Sequence, residues 1–330
     1  MTTSKFFKKL SIAVASTAFM SLSGATIAQA ISITPNNNGE ALVNEILGSG
    51  ITIDLDSINY RGANGASGIF TDGLSSGIGI DQGIILTTGK AKDAEGPNDL
   101  DKTTTENNYR GDPDLDGLIT EKTKDATILE FEFETQGGNV FFNYVFASEE
   151  YNEFVDSKFN DVFGFFLNGE NIALIPGTTT PVAINTVNGG KNLETNGSNS
   201  EFFNNNDPSD GGPFFDIEYD GFTNVFTAQA LGLASGSHTI KLAIADTKDQ
   251  GWDSAVFIQA KSFSDGGTSD GDTSDGDTQD VPEPIIDGGI LAEPPAQDTE
   301  DVPEPSIVIG LLGVGFAGSL LKKKSTKSHN

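Results

Sequence analysis

The chain has 330 residues, 48 of them acidic against 19 basic, giving a net charge of −29, and it contains no cysteine. Disulfides, zinc–thiolate sites and cysteine nucleophiles are thereby excluded. So negative a molecule is repelled by nucleic acid and by anionic membrane surfaces, and is better matched to divalent cations or to solubility in a salty exterior.

In chain order, residues 1–30 read as a signal peptide. Lys5, Lys8 and Lys9 precede an apolar run from Leu10 to about Leu22, and Ala28-Gln29-Ala30 supplies the small-x-small site of a signal peptidase. The run is short of the ~20 apolar residues a membrane span needs. A helix follows in NGEALVNEILG, where Leu42, Val43, Ile46 and Leu47 share one face and Gly48 marks the stop.

From there the signal has period two. In ILEFEFE, Leu129, Phe131 and Phe133 alternate with Glu130, Glu132 and Glu134, the pattern of a half-buried strand. VFFNYVFA and DVFGFFL are apolar on both faces, as central strands are. ITIDL, GIILTTG, IALIP, VAINTV, NVFTAQAL, TIKLAIA and SAVFIQA are further candidates, separated by Gly, Asn, Asp and Pro turns. Residues 31–263 therefore read as one all-β domain, a jelly-roll-like two-sheet β-sandwich with one short N-terminal helix. VFFNYVFA and DVFGFFL are expected to form a hairpin closed by SEEYNEFVDSKFN.

Beyond Phe263 the composition changes. Residues 264–301 repeat Ser-Asp-Gly-Asp-Thr units and carry no Lys or Arg, which predicts a disordered acidic linker, extended by self-repulsion as a stalk reaching to about residue 305. Residues 302–330 hold Val302-Pro303-Glu304-Pro305, an apolar run from Ser306 to Leu321, and Lys322, Lys323 and Lys324. The lysines favour a cytoplasmic tail and the run predicts transient membrane association, a permanent anchor being the alternative. With residues 1–30 and 306–330 removed, 12 basic residues face 48 acidic ones, a net charge of −36.

This tail resembles a PEP-CTERM sorting signal, departing from it in having lysine where arginine is commoner and in a second VPEP at 281–284. The resemblance implies processing by an exosortase-type membrane enzyme. The block FFNYVFASEEYNEFVDSKFNDVFGFFLNGENIALIPGTTTPVAINTVN, with LVNEILGSGITI, QGIILTTGK, GDPDLDGL, DATILEFEF and HTIKLAIADTKDQGWDSAVFIQAKSF, resembles the choice-of-anchor L domain family from Leu42 to Phe263. That likeness implies an exported, surface-tethered β-rich module and brings no catalytic activity with it.

The chemistry rests on acidic loops. Calcium takes six to eight oxygens from flexible loops. Glu149, Glu150 and Asp161, joined by Asp246 or Asp253 from ADTKDQGWDSAVF, are the candidate calcium ligands. A solvated acidic turn and a partner-contact surface are the alternatives. Glu149 and Glu150 are neighbours that would point to opposite faces, so they make a poor acid–base pair for glycoside hydrolysis. Asp112-Pro113-Asp114-Leu115-Asp116-Gly117 opens like an EF-hand loop, but its twelfth position is Thr123, leaving a looser calcium turn or an exposed acidic loop. Gly73 to Gly77 matches a nucleophile-elbow string without its strand–helix context, and His238 is the one histidine outside the tail to serve Ser75. Trp252 could stack on a sugar or cap a core edge. The expectation is a non-enzymatic surface protein acting in adhesion or matrix, with extracellular polysaccharide or matrix as partner; a carbohydrate-binding or carbohydrate-degrading module is the alternative.

Overall fold

A computed structural model describes residues 30–266; the signal peptide and nearly all of the linker and sorting segment fall outside them. The strands are β1 (Ser32–Pro35), β2 (Ile51–Arg61), β3 (Ser67–Thr71), β4 (Gly83–Thr87), β5 (Thr123–Thr135), β6 (Gly138–Ser148) and β7 (Val162–Leu167). They continue with β8 (Glu170–Asn171), β9 (Phe203–Asn205), β10 (Gly221–Thr223), β11 (Phe226–Leu233), β12 (Gly236–Thr247) and β13 (Ser254–Gln259). One sheet runs β1-β3-β4-β13-β6-β10-β9, with β11 continuing the β10 edge along β6; the other runs β2-β5-β12-β7-β8. All named pairings are antiparallel. Two packed sheets and few helices bear out the sandwich.

The alternation in ILEFEFE decides which face of β5 is covered. Leu129, Phe131 and Phe133 are buried, while Glu132 and Glu134 are exposed on the other side. Between the sheets, Phe142 stacks edge-on to Phe165, Tyr144 to Phe163 and Phe165, and Phe263 to Phe131 and Phe133. Such ring pairs add roughly 0.5–1.5 kcal/mol each beyond the area they bury. Phe263 closes the core from the end of the domain, and its neighbour Ser264 exchanges two backbone hydrogen bonds with Phe141.

Helix α1 (Gly39–Ile46) forms where expected and buries Leu42, Val43 and Ile46. The Asn38 side chain accepts from the Ala41 amide and caps its first turn. Losing such a cap costs about 1 kcal/mol, worth about 2–4 °C in a domain of this size. Asn38→Ala is therefore expected to melt that much lower in a thermal scan, and an unchanged midpoint would remove the cap from the account.

Three expectations need correction. β6 and β7 are not a hairpin: β6 lies in the first sheet and β7 in the second, so residues 149–161 cross between the layers. Each strand finds its partners far away in sequence, β7 on β12 and β6 on β13. Secondly, IALIP and VAINTV are not regular strands. They make the isolated bridges Leu174–Pro181 and Val162–Ala183, while Ala173, Ile175, Val182, Ile184 and Val187 supply buried packing from irregular backbone. Thirdly, the Asp112 loop is exposed only in part: Asp114 and Gly117 face solvent, but its first carboxylate is buried and paired with a cationic side chain. Asp112 is 1% exposed and lies 2.6 Å from the Lys241 ammonium, which also lies 2.6 Å from Asp114; Asp116 pairs with Lys122.

Candidate metal centre

Two crossovers between the sheets meet at one end of the sandwich. Residues 149–161 run from the end of β6 to the start of β7, and 248–253 run from the end of β12 to the start of β13. The Glu149 amide donates to the Asp253 carbonyl, and the Thr88 amide to that of Ser254. A Cβ on Gly89 would lie 1.6 Å from an Asp253 carboxyl oxygen, so only glycine after β4 leaves room for that side chain.

The carboxylates at this end are enclosed. Glu149, Glu150, Asp161 and Asp246 are at most 1% exposed and Asp253 is 3% exposed, which overturns the solvated-turn reading of this loop. Glu149 and Glu150 have different nearest charges: Asp161 and Asp249 act on Glu150, whereas Asp220 and Glu218, then Asp253, act on Glu149. Asp161 in turn acts on both Asp246 and Asp253. Asp161 accepts from the Thr247 amide at 2.8 Å and the Ser254 hydroxyl at 2.7 Å. Asp253 takes one hydrogen bond from the Thr105 amide, and its other oxygen has none. Neither oxygen of Glu150 meets a donor. Burial first, then the charges of Asp161 and Asp249, push the Glu150 carboxyl far above the usual range. Burial likewise lifts Asp253 to about 8 and Asp246 well above its ordinary value, with Asp161 adding to both.

Glu149 answers mainly to other charges. Burial and then Asp220 and Glu218 raise its pKa, and the Thr103 amide is the one weak opposing influence. Next to it lies a group that the sequence reading missed: Glu153 from the crossover, Asp207 after β9 and Asp220 before β10. One carboxylate oxygen from each falls within 4.8 Å of the others, and among the described residues this is the one such trio. Asp220 accepts from the Asn98 amide at 2.8 Å, its second oxygen is unpaired, and burial followed by Asp207 and Glu153 takes its pKa to about 9. Asp207 lies in NNNDPSDGG, a run whose density of side-chain oxygens was the available clue.

The chemistry of such an end is limited to two states. Buried like charges hold protons, or they share a cation. The donors are all oxygen, which selects hard cations such as calcium over zinc or copper.

Beside Glu153 an open groove of about 370 Å³ is lined by Leu100, Asp101, Phe154 and Trp252. The Trp252 ring packs edge-on to Phe154, and its indole N–H donates to the Asp101 carbonyl at 3.2 Å. Ser75 is exposed on a short helical turn after β3, in the first sheet; His238 lies on β12 in the second, bonded to Asn168 and to the Ala234 carbonyl. The two are not brought together as a nucleophile and base. Among the described residues no helix is long and apolar enough to cross a membrane.

Comparison with known proteins agrees with this architecture. No curated protein and no solved structure matches the chain. Residues 301–324 match the PEP-CTERM protein-sorting motif, which marks an exported, surface-sorted protein handled by an exosortase-type system. The choice-of-anchor L domain model matches residues 31–264, the whole sandwich, and the chain belongs to that family.

Proposed function

We propose that this is a non-enzymatic, surface-displayed β-sandwich that takes up calcium at its crossover end and contributes to adhesion or to an extracellular matrix. The observation that carries the calcium reading is the burial of Glu150, Asp161, Asp246 and Asp253 where the two crossovers meet, with both oxygens of Glu150 and of Asp246 left without a donor. An exported chain without cysteine lacks the usual cross-link against unfolding outside the cell, and an ion bridging distant loops supplies one. The sorting motif and the family support display at the surface.

Cells making the full chain are expected to aggregate or hold to a matrix-coated surface in calcium, and to release on chelation. Cells making Asp246→Asn are expected to do so weakly. Equal retention by cells with and without the protein would sink the adhesive role.

A second reading is favoured by the groove at Trp252 and Phe154, which offers an aromatic wall beside the acidic residues Asp101 and Glu153, as sugar-binding surfaces do. It predicts saturable glycan binding lost in Trp252→Ala. A glycan array without hits leaves Trp252 as the cap it already forms against Phe154.

A further inference from the structure

We infer that Glu153, Asp207 and Asp220 form a calcium site of their own, separate from the Glu150, Asp161, Asp246 and Asp253 group. This deepens the calcium reading above and shares its ion chemistry, but it stands on different residues and a different geometry.

Three observations carry it. One oxygen from each of the three carboxylates lies within 4.8 Å of the others, close enough for a single ion at calcium–oxygen distances of about 2.3–2.6 Å. The group and the buried side chains that hydrogen-bond to it carry unpaired oxygens. Asp220 is fully buried with one oxygen free, and Asn152 is fully buried with its amide oxygen free. Asn98, 2% exposed, is in the same condition. Buried oxygens left without a donor are costly, and a hard cation answers that cost with bonds to neutral amide oxygens as well as carboxylates.

The amide hydrogens of Asn98 and Asn152 are engaged by neighbouring oxygens, and their own amide oxygens meet no donor. Asn98 donates to Asp220 at 2.8 Å and to the Asn206 carbonyl at 3.2 Å. Asn152 donates to Asn205 at 2.9 Å and Asp210 at 3.1 Å, with Asp207 at 3.5 Å. These amide donors hold one oxygen of Asp220 and one of Asp207, while the second oxygen of Asp220 and one oxygen of Glu153 have no donor. No lysine or arginine makes an ion pair with Glu153, Asp207 or Asp220 among the described residues.

The topology gives the ion a task. Glu153 belongs to the inter-sheet crossover, Asp207 to the loop leaving β9, and Asp220 to the entry of β10. One ion would therefore tie the irregular 206–220 segment to the crossover. Glu153 is half-buried and borders the Trp252 groove, so the site has an opening through which an ion can exchange.

Calorimetric calcium titration of the full chain, with terbium luminescence excited through Trp252 as a second readout, tests this. The unaltered protein is expected to bind two ions. Asp207→Asn and Glu153→Gln are each expected to lose one ion, or weaken it at least tenfold, and to lower the terbium signal, while the second ion still binds. Asp246→Asn is expected to spare the trio's ion. Glu153 is partly exposed, so Glu153→Gln serves as the variant least exposed to folding failure, with Asp156→Asn as an exposed acidic control that binds normally. Unchanged stoichiometry and affinity in both Asp207→Asn and Glu153→Gln would overturn the site. A single ion, lost in those two variants and kept in Asp246→Asn, would uphold this site while removing the ion from the other group.

Discussion

Removing calcium from the folded protein is expected to lower its melting temperature by more than 10 °C. An ion present at a thousandfold its dissociation constant stabilises the native state by about 4 kcal/mol per site. Each kilocalorie moves the midpoint of a domain of this size by about 2–4 °C. The sign of the pH dependence should invert with the metal. In the metal-free protein, Asp220 and Asp253 have pKa values near 9 and 8, raised by burial and by neighbouring carboxylates, against about 4 in an unfolded chain. Groups raised on folding hold their protons more tightly in the native state. Their contribution is complete below about pH 4 and disappears as pH climbs through the native values near 8 and 9. The metal-free protein should therefore melt higher at pH 5 than at pH 8. The calcium-loaded protein should show the reverse, because protons displace the ion as pH falls. Scanning calorimetry across that range, with and without calcium, reads both curves. Superimposable curves would remove the ion from the fold's energetics.

The second large effect is independent of metal. Lys241 is 8% exposed, within 2.6 Å of both Asp112 and Asp114, and 5.6 Å from the centre of the Phe166 ring. Lys241→Met keeps the length and the packing but strands Asp112, whose remaining cation is Arg61 at 3.7 Å. Breaking a buried pair from one side costs about 3–5 kcal/mol, because the abandoned charge stays desolvated. Urea unfolding should register a loss of that size, equal in calcium and in chelator. Adding Asp112→Asn to Lys241→Met should restore most of it. A single variant within 1 kcal/mol of the parent would mean that water reaches Asp112.

The two sheets were legible because their evidence is local. ILEFEFE states its buried face by alternation, and LVNEIL states its own by a 3.6-residue period. Partner choice is non-local, and there the reading failed. Adjacent strands flanking SEEYNEFVDSKFN suggested a hairpin, whereas β6 and β7 bury their aromatics against each other from opposite sheets. The carboxylates followed the same divide. Glu149 and Glu150 could be separated by direction alone, since neighbours near a strand end diverge. Glu153, Asp207 and Asp220 could not be joined, because 53 residues of mostly irregular chain lie between the first two. IALIP and VAINTV show the limit from the apolar side: their burial was readable, but their backbone was not, since the isolated bridges give no ladder for a period-two pattern to follow.

The position of Ser264 has a bearing on how the molecule meets its surroundings. The chain leaves the sandwich where Ser264 is clamped to Phe141, at the beginning of β6. The acidic crossovers start where β6 finishes, at Ser148, roughly 23 Å further along a strand that rises about 3.3 Å per residue. Tension carried along the chain into Ser264 would thus load the Phe141 end of β6, the end remote from the acidic crossovers.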